Sequence, residues 1–270
     1  MANTLNKTKT TKASKPTQNK KLKRADQYND PTHNYLRYWD GREYEHAAEE
    51  LAISRLLKNK HFKKAVDVGG GYGRLSVFLR NYADEVTLAE PSQQQLDIAK
   101  EFLKGKPSVI SKLAQAEDLP FKDGELDLAL VVRVIHHLPD PMPAFNEIHR
   151  VLKKDGYFLI EFANHANFKN RMRYASKLKT VPLEPIDIRS PENKRDDEIP
   201  FVNHNPKTVR RQLAQAGFKL EATLSVSNFR SPRLKKMLSK TALLRLEKNS
   251  QKLLAKSHFG PSTVYLLRKV

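Results

Sequence analysis

The sequence predicts an α/β fold: a doubly wound, mostly parallel sheet with helices on both faces. Three observations predict it. Short apolar runs alternate with helix-period stretches over residues 65–162. The first of these runs ends in glycines and passes directly into a helical stretch. Leu126–Val132 is strongly apolar, as a central parallel strand buried on both faces must be.

The elements follow in order. Residues 44–59 carry apolar side chains at helical spacing, at Ala48, Leu51, Ala52 and Leu56, with Ile53 and Leu57 broadening the stripe. Ala65–Val68 reads as the first strand and Arg74–Asn81 as the helix after it. Val86–Ala89 is the second strand. Ser92–Leu103 is the second helix of the alternation, with Ser92 placed to cap its free amides. Ser108–Ala114 is the third strand, Leu126–Val132 the fourth, Pro143–Leu152 a helix and Gly156–Phe162 the next strand. The rhythm then stops. Residues 164–204 are rich in proline and charge with no sustained period, and read as a long loop with one helix near Lys169–Lys179. Loops of that length often cover a site. At Asn205-Pro206 a cap followed by a first-turn proline opens a helix that should end at Gly217. Phe218–Val226 reads as a strand, residues 232–256 as helical and Thr263–Arg268 as the final strand. In the 232–256 stretch, Leu234, Met237, Leu238, Leu243, Leu244, Leu246, Leu253 and Leu254 are expected to face the core.

Composition sets bounds. The chain of 270 residues is 39% hydrophobic, enough for one sizeable core with appendages. It has no cysteine, which excludes disulfides, thiolate metal ligands and thiol nucleophiles, and permits the cytoplasmic location expected here. No run of about 18 apolar residues predicts a transmembrane helix. Residues 1–24 lack the apolar stretch of a secretory signal. They are polar and Lys-rich, cannot bury enough surface to offset ordering entropy, and are expected to be a disordered basic tail. The formal charge of +19 is unevenly spread: +8 in residues 1–24, −3 in 25–59, −1 in 60–164 and +15 in 165–270. The expected organisation follows these boundaries. A helical segment over 25–59 covers the ligand site, 60–164 forms the ligand-binding core, and 165–270 supplies a lid and completes the sheet.

The chemistry is concentrated at Val66-Asp67-Val68-Gly69-Gly70-Gly71-Tyr72-Gly73-Arg74. Glycines let the backbone turn sharply and approach a ligand, and the helix that follows presents free amides. A dinucleotide site would need G-x-G-x-x-G, but Arg74 stands at the third position. The pattern from Asp67 to Gly73 is D-x-G-x-G-x-G. An acid two residues before the first glycine suits a ligand that carries a cationic amino group and no pyrophosphate, such as S-adenosylmethionine. Glu90, at the end of the second strand, is placed to accept hydrogen bonds from ribose hydroxyls.

With Ala114-Gln115-Ala116-Glu117-Asp118-Leu119-Pro120-Phe121 added, the segments 66–74, 87–92, 114–121, 126–139 and 152–162 together resemble class I S-adenosylmethionine-dependent methyltransferases. The similarity is to the type 11 group, which includes the ubiquinone/menaquinone methyltransferases, and it covers roughly residues 35–165. It implies a Rossmann-like seven-stranded, mostly parallel sheet with an antiparallel C-terminal strand. It further implies that Gly69, Gly71 and Gly73 pass under the methionine part of the cofactor, that Asp67 orients its amino group and that Glu90 holds the ribose. Gln115, Ala116 and Glu117 would border the adenine, with Gln115 where the group commonly has Asp. Arg133 would lie beside the methionine moiety through its backbone, or reach the substrate mouth. Upstream, residues 35–44 resemble a segment that folds over the cofactor. There Arg42 would pair with the cofactor carboxylate, or be a surface residue at a helix entry, and Tyr38 would close over the site.

Adjacent His136 and His137 invite assignment as metal ligands or as a base. Sequence neighbours rarely point at one ion, and no partner cluster with metal-ligand spacing accompanies them, so no metal is expected. The resemblance names no catalytic residue, because an activated methyl donor needs chiefly alignment of the acceptor, worth about 7–11 kcal/mol in favourable cases. Three function classes remain: a methyltransferase acting on a small molecule, one acting on RNA or protein through the basic C-terminal region, and a cofactor-binding protein without transferase activity. Arg210, Arg211, Arg230, Arg233, Lys235 and Lys236 are the candidate phosphate contacts of the second class. That class lacks an aromatic-interleaved binding pattern.

Overall fold

The computed structural model describes residues 28–30, 39–196 and 198–270. Tyr38 and the tail 1–24 lie outside the described residues. Among those described, seven strands form one sheet in the order β3-β2-β1-β4-β5-β9-β8. These are β1 (Phe62–Val68), β2 (Ala83–Glu90), β3 (Ile110–Leu113), β4 (Leu126–Val132), β5 (Leu152–Ala163), β8 (Phe218–Val226) and β9 (Ser262–Lys269). The pairs among β1 to β5 are parallel, whereas β9 runs antiparallel to both β5 and β8. The order reverses between β1, which leads outward to β2 and β3, and β4. Ligands of open α/β sheets bind at such a switch point, outside the carboxyl ends of the strands.

Side chains along β4 show why helices must cover both faces. Leu128 and Leu130 join a cluster with Ala52 and Ile53 of α1 (Glu43–Leu56), Leu75 of α2 (Arg74–Leu79) and Leu243 of α9 (Lys240–Ala255). Ala129 and Val131 point the other way, into a cluster with Phe145 and Ile148 of α4 (Met142–Val151) and Leu213 of α7 (Pro206–Gln215). Consecutive strand residues alternate faces, so a strand apolar on both sides specifies two helical layers. The helix α3 (Gln93–Phe102) covers β2, and the Ser92 hydroxyl accepts from the Gln95 N–H as its cap.

The structure departs from the sequence expectations in two places. The 164–204 stretch contains α5 (Phe168–Ala175), α6 (Pro191–Arg195) and a small antiparallel pair, β6 (Ile186–Asp187) with β7 (Val202–Asn203). These elements are too short to show a period. The 232–256 stretch is two helices, α8 (Pro232–Met237) and α9, broken where Leu238 is extended and the Ser239 hydroxyl caps the Ala242 N–H. In that region Leu243 is buried, but Met237, Leu246 and Leu253 are exposed rather than core-facing. The face that α9 buries is Leu243, Glu247, Gln251 and Ala255, which leaves Leu246 and Leu253 off it.

Candidate active site

The glycine turn is built on β1. Asp67 is 1% exposed, and its Oδ2 accepts from the Ser76 hydroxyl at 2.7 Å. Burial pushes its carboxyl up to about 6, against the pull of Ser76 and Arg74. Two glycines are required here by space. Gly69 has φ +65°, and a Cβ on it would lie 2.5 Å from Val134 Cγ2, while a Cβ on Gly70 would lie 2.5 Å from Asp67 Oδ2. The Gly69 N–H ties the turn to β2 through the Ala89 carbonyl at 2.7 Å.

Glu90 ends β2 beside this turn. Its Oε2 accepts from the Gly71 N–H at 2.9 Å and its Oε1 from the Ser92 N–H at 3.0 Å. It therefore fixes the turn and the start of α3 together. The Gln115-Ala116-Glu117 turn, closed by a bridge between Gln115 and Asp118, stands on the far side. These groups line a cavity of about 290 Å3 that also takes in Tyr28, Trp39, Arg74, His137 and Leu138.

The structure brings Asp67, Gly69, Gly71, Glu90, Gln115, Ala116, Glu117 and Arg133 to this one cavity. Gly73 lies just beyond its lining, at φ +87°, where it opens α2. Arg42 does not join them. It precedes α1 and lines a second, adjoining cavity of about 780 Å3.

Arg133, expected here from the sequence, stands at the first cavity together with Arg74, to which no role was assigned. Glu49 of α1, 2% exposed, accepts from Arg74 Nη2 at 2.7 Å and Arg133 Nε at 2.8 Å. The Arg74 guanidinium also reaches His46 and lies 3.7 Å from the centre of the Trp39 ring. A buried carboxylate shared by two guanidiniums fixes both cations in place. The signal for Glu49 was a charged residue within the apolar stripe of α1, where the spacing leaves it facing the core.

Arg133 joins the two cavities, lining both along with Tyr28. It ends β4 at φ +60°, a conformation that strains a residue with a Cβ. That turn directs its N–H to Glu161 Oε2 at 3.2 Å. Glu161, at the end of β5, is 2% exposed, and burial raises its carboxyl pKa above the usual range.

The two histidines divide their work. His137 Nδ1 lies 2.8 Å from the Pro200 carbonyl, which can only accept, so Nδ1 carries the proton and Nε2 accepts from the Tyr28 hydroxyl at 2.9 Å. His137 thereby links residue 28 to the segment ending at Phe201, across the cavity. The His136 ring packs 4.4 Å from that of Phe201, and burial, His137 and Arg133 hold its pKa well below the usual imidazole value. Among the described residues no group of three or more His, Cys, Asp or Glu side chains could hold a metal ion.

A reversed sheet order, a glycine turn and acids at the ends of neighbouring strands define a Rossmann-like protein with a nucleoside-type site. Known proteins carry the assignment further. A family model described as "Methyltransferase domain" matches residues 66–160. The ubiquinone/menaquinone biosynthesis C-methyltransferase UbiE of Rubrivivax gelatinosus is 30% identical over 193 residues, which are 68% of this chain and 72% of that protein. The uncharacterized methyltransferase YcgJ of Bacillus subtilis is 30% identical over 134 residues, 44% of this chain and 52% of that one. An uncharacterized methyltransferase of Schizosaccharomyces pombe is matched over 43% of its length, so the chain spans about half of these two relatives. The fold is shared with a solved S-adenosylmethionine-dependent methyltransferase of Thermotoga maritima, described as a possible histamine N-methyltransferase. The TM-score is 0.58 at 22% identity, over 87% of this chain and 95% of that one. The chain belongs to the type 11 group of class I S-adenosylmethionine-dependent methyltransferases.

Proposed function

We propose that the protein transfers a methyl group from S-adenosylmethionine to a small-molecule acceptor held in the second cavity. The observation that carries this reading is the pair of adjoining cavities, which share Arg133 and Tyr28. One has the groups a nucleoside with an amino-acid tail requires, and the other is a roomy space beside it, lined by polar and apolar groups in similar measure.

The residues fit the cofactor. Glu90 would accept from the ribose hydroxyls, and the Gln115-Ala116-Glu117 turn would border the adenine. The tight glycine turn, in which a Cβ on Gly69 would strike Val134 and one on Gly70 would strike Asp67, lets bare backbone line the site. Asp67, a buried carboxyl with a raised pKa, is suited to an ammonium partner. Arg74 and Arg133, held by Glu49, are better placed for the carboxylate than Arg42, which lines the other cavity. When bound, the cofactor supplies a methyl group already activated by its sulfonium. The protein's own contribution is to align the acceptor and exclude water. Tyr28, His137 and the Pro200–Phe201 segment form a cover suited to that exclusion.

A basic groove supports the RNA reading to a lesser degree. Lys207, Arg210, Lys252 and Lys256 line a groove of about 720 Å3 whose one acid, Glu221, pairs with Arg268 at 3.0 Å. It shares no residue with the other two cavities, and its one aromatic, Tyr265, is buried. Three of the six candidate phosphate contacts stand in three different places. Arg210 lines the groove, Arg230 lines the second cavity, and Lys235 pairs with Glu45 at 2.7 Å. The test is incubation with tritiated-methyl cofactor and the separated small-molecule and RNA fractions of a cell extract, with RNA binding measured from low to physiological salt. Label is expected in the small-molecule fraction, with RNA binding that collapses as salt rises. Stoichiometric labelling of RNA, with tight binding at physiological salt, would replace this reading by the other.

A further inference from the structure

Glu161 is a buried carboxyl in the wall of the second cavity to which cofactor binding gives no task. It pairs in register with Val132, the residue before Arg133, and with Val264 of β9. That places it at the carboxyl end of β5, in the wall of the second cavity. Its surroundings are asymmetric. Glu49, facing the same centre from α1, takes the guanidiniums of Arg74 and Arg133. Glu161 receives the Arg133 peptide N–H and the Ser262 hydroxyl. A carboxylate has about four acceptor positions, so this arrangement leaves capacity for a further donor.

We infer that Glu161 accepts a proton from the acceptor in the second cavity, and that the acceptor is therefore protic, attacking through a hydroxyl or an amine. This rests on the two-cavity reading above. The acceptor's X–H bond breaks, and the proton passes to a Glu161 carboxylate oxygen. The electron pair left on X forms the bond to the methyl carbon. The methyl–sulfur bond breaks with its pair going to sulfur, so the sulfonium of the methyl donor becomes a neutral thioether. The X–CH3 product and the protonated Glu161 account for every atom.

Arg133, Glu49 and Ser262 set the electrostatics around Glu161. Arg133 from β4 favours the carboxylate, Glu49 from α1 opposes it, and the Ser262 hydroxyl from β9 favours it. His136, from the turn after β4, lines the same cavity and is held neutral by burial. Burial outweighs these and raises the Glu161 carboxyl above the usual carboxylate range, which makes its carboxylate a stronger base. The strained turn at Arg133 has a place in this account. It points a peptide N–H at Glu161 while the side chain of the same residue pairs with Glu49 at the cofactor mouth.

The test compares the full chain with Glu161→Gln, which keeps an oxygen for the Arg133 N–H and cannot take the proton. Thermal melting confirms folding, and calorimetry with S-adenosylhomocysteine is expected to give unchanged affinity. Transfer of tritiated methyl to the small-molecule fraction should fall by about 10²–10⁴-fold. The residual rate should lose the rise with pH that the wild type shows on its acid side. Independently of turnover, carbon NMR of Glu-labelled protein should show one carboxyl that titrates above the usual range and is missing from the variant. Equal transfer by both proteins, or a Glu161 carboxyl titrating in the ordinary range, overturns the inference and leaves the function standing. A wild type that binds cofactor but labels no small molecule overturns both.

Discussion

Asp67 is the buried acid of β1. Buried under the glycine turn, its carboxyl is raised from 3.8 to about 6. Between those values the folded chain holds a proton that the unfolded chain has released. The stabilising contribution is therefore full below the unfolded value and is lost as pH rises through about 6. A ligand that sets an ammonium beside Asp67 favours the carboxylate and expels that proton. S-adenosylhomocysteine binding should thus release a proton near pH 6, and its affinity should climb as pH rises through that region. Calorimetry in buffers of different ionisation enthalpy reads the proton directly, and Asp67→Asn should abolish the release. Release that persists in the variant would place the amino group elsewhere. Asp67, Glu90 and the glycines were legible in the sequence because their spacing is set by a single strand-turn-helix unit. Glu49, Arg74, Trp39, Tyr28 and Glu161 were not, since their meeting depends on how α1 and β5 lie against β4.

At the scale of elements, local chemistry located what it controls directly. The caps at Ser92 and Asn205 and the strands Leu126–Val132 and Phe218–Val226 stand where the sequence placed them. The small β6–β7 pair and the α8–α9 break could not be read, because two-residue strands have no period and Ser239 interrupts an otherwise continuous apolar pattern. The segment before α1 gives the clearest test of an element's role. The Ser92 hydroxyl donates to the Tyr28 carbonyl at 2.7 Å, Gln94 Nε2 donates to the Asp30 carbonyl at 2.8 Å, and Tyr28 meets His137. Deleting residues 1–24 should leave cofactor affinity unchanged, whereas deletion through residue 30 should weaken it. The expected loss is about 1–3 kcal/mol, from the hydrogen bonds removed and the opened cavity. Calorimetric titration of the two truncated chains decides this. Equal affinity in both would remove Tyr28 from the cover, and loss in the shorter deletion would give the tail a role in binding.

For the whole molecule, the parallel core was readable because alternating strands and helices admit few topologies. The antiparallel C-terminal strand β9 was expected from the family resemblance and is found, whereas its place between β5 and β8 could not be read from the order of elements along the chain. The charge is likewise a property of the assembled surface. The +15 of residues 165–270 is divided between a groove, a cavity wall and an ion pair to α1, so its sum did not forecast a single docking face. No helix among the described residues is long and apolar enough to cross a membrane. The switch point between β1 and β4 should hold a nucleoside with an amino-acid tail and no pyrophosphate. Calorimetric titration of the full chain with S-adenosylmethionine, S-adenosylhomocysteine and NAD tests it most directly. The account predicts saturable one-site binding of the first two and no heat with NAD, whereas tight NAD binding with silence toward both sulfur ligands would contradict it.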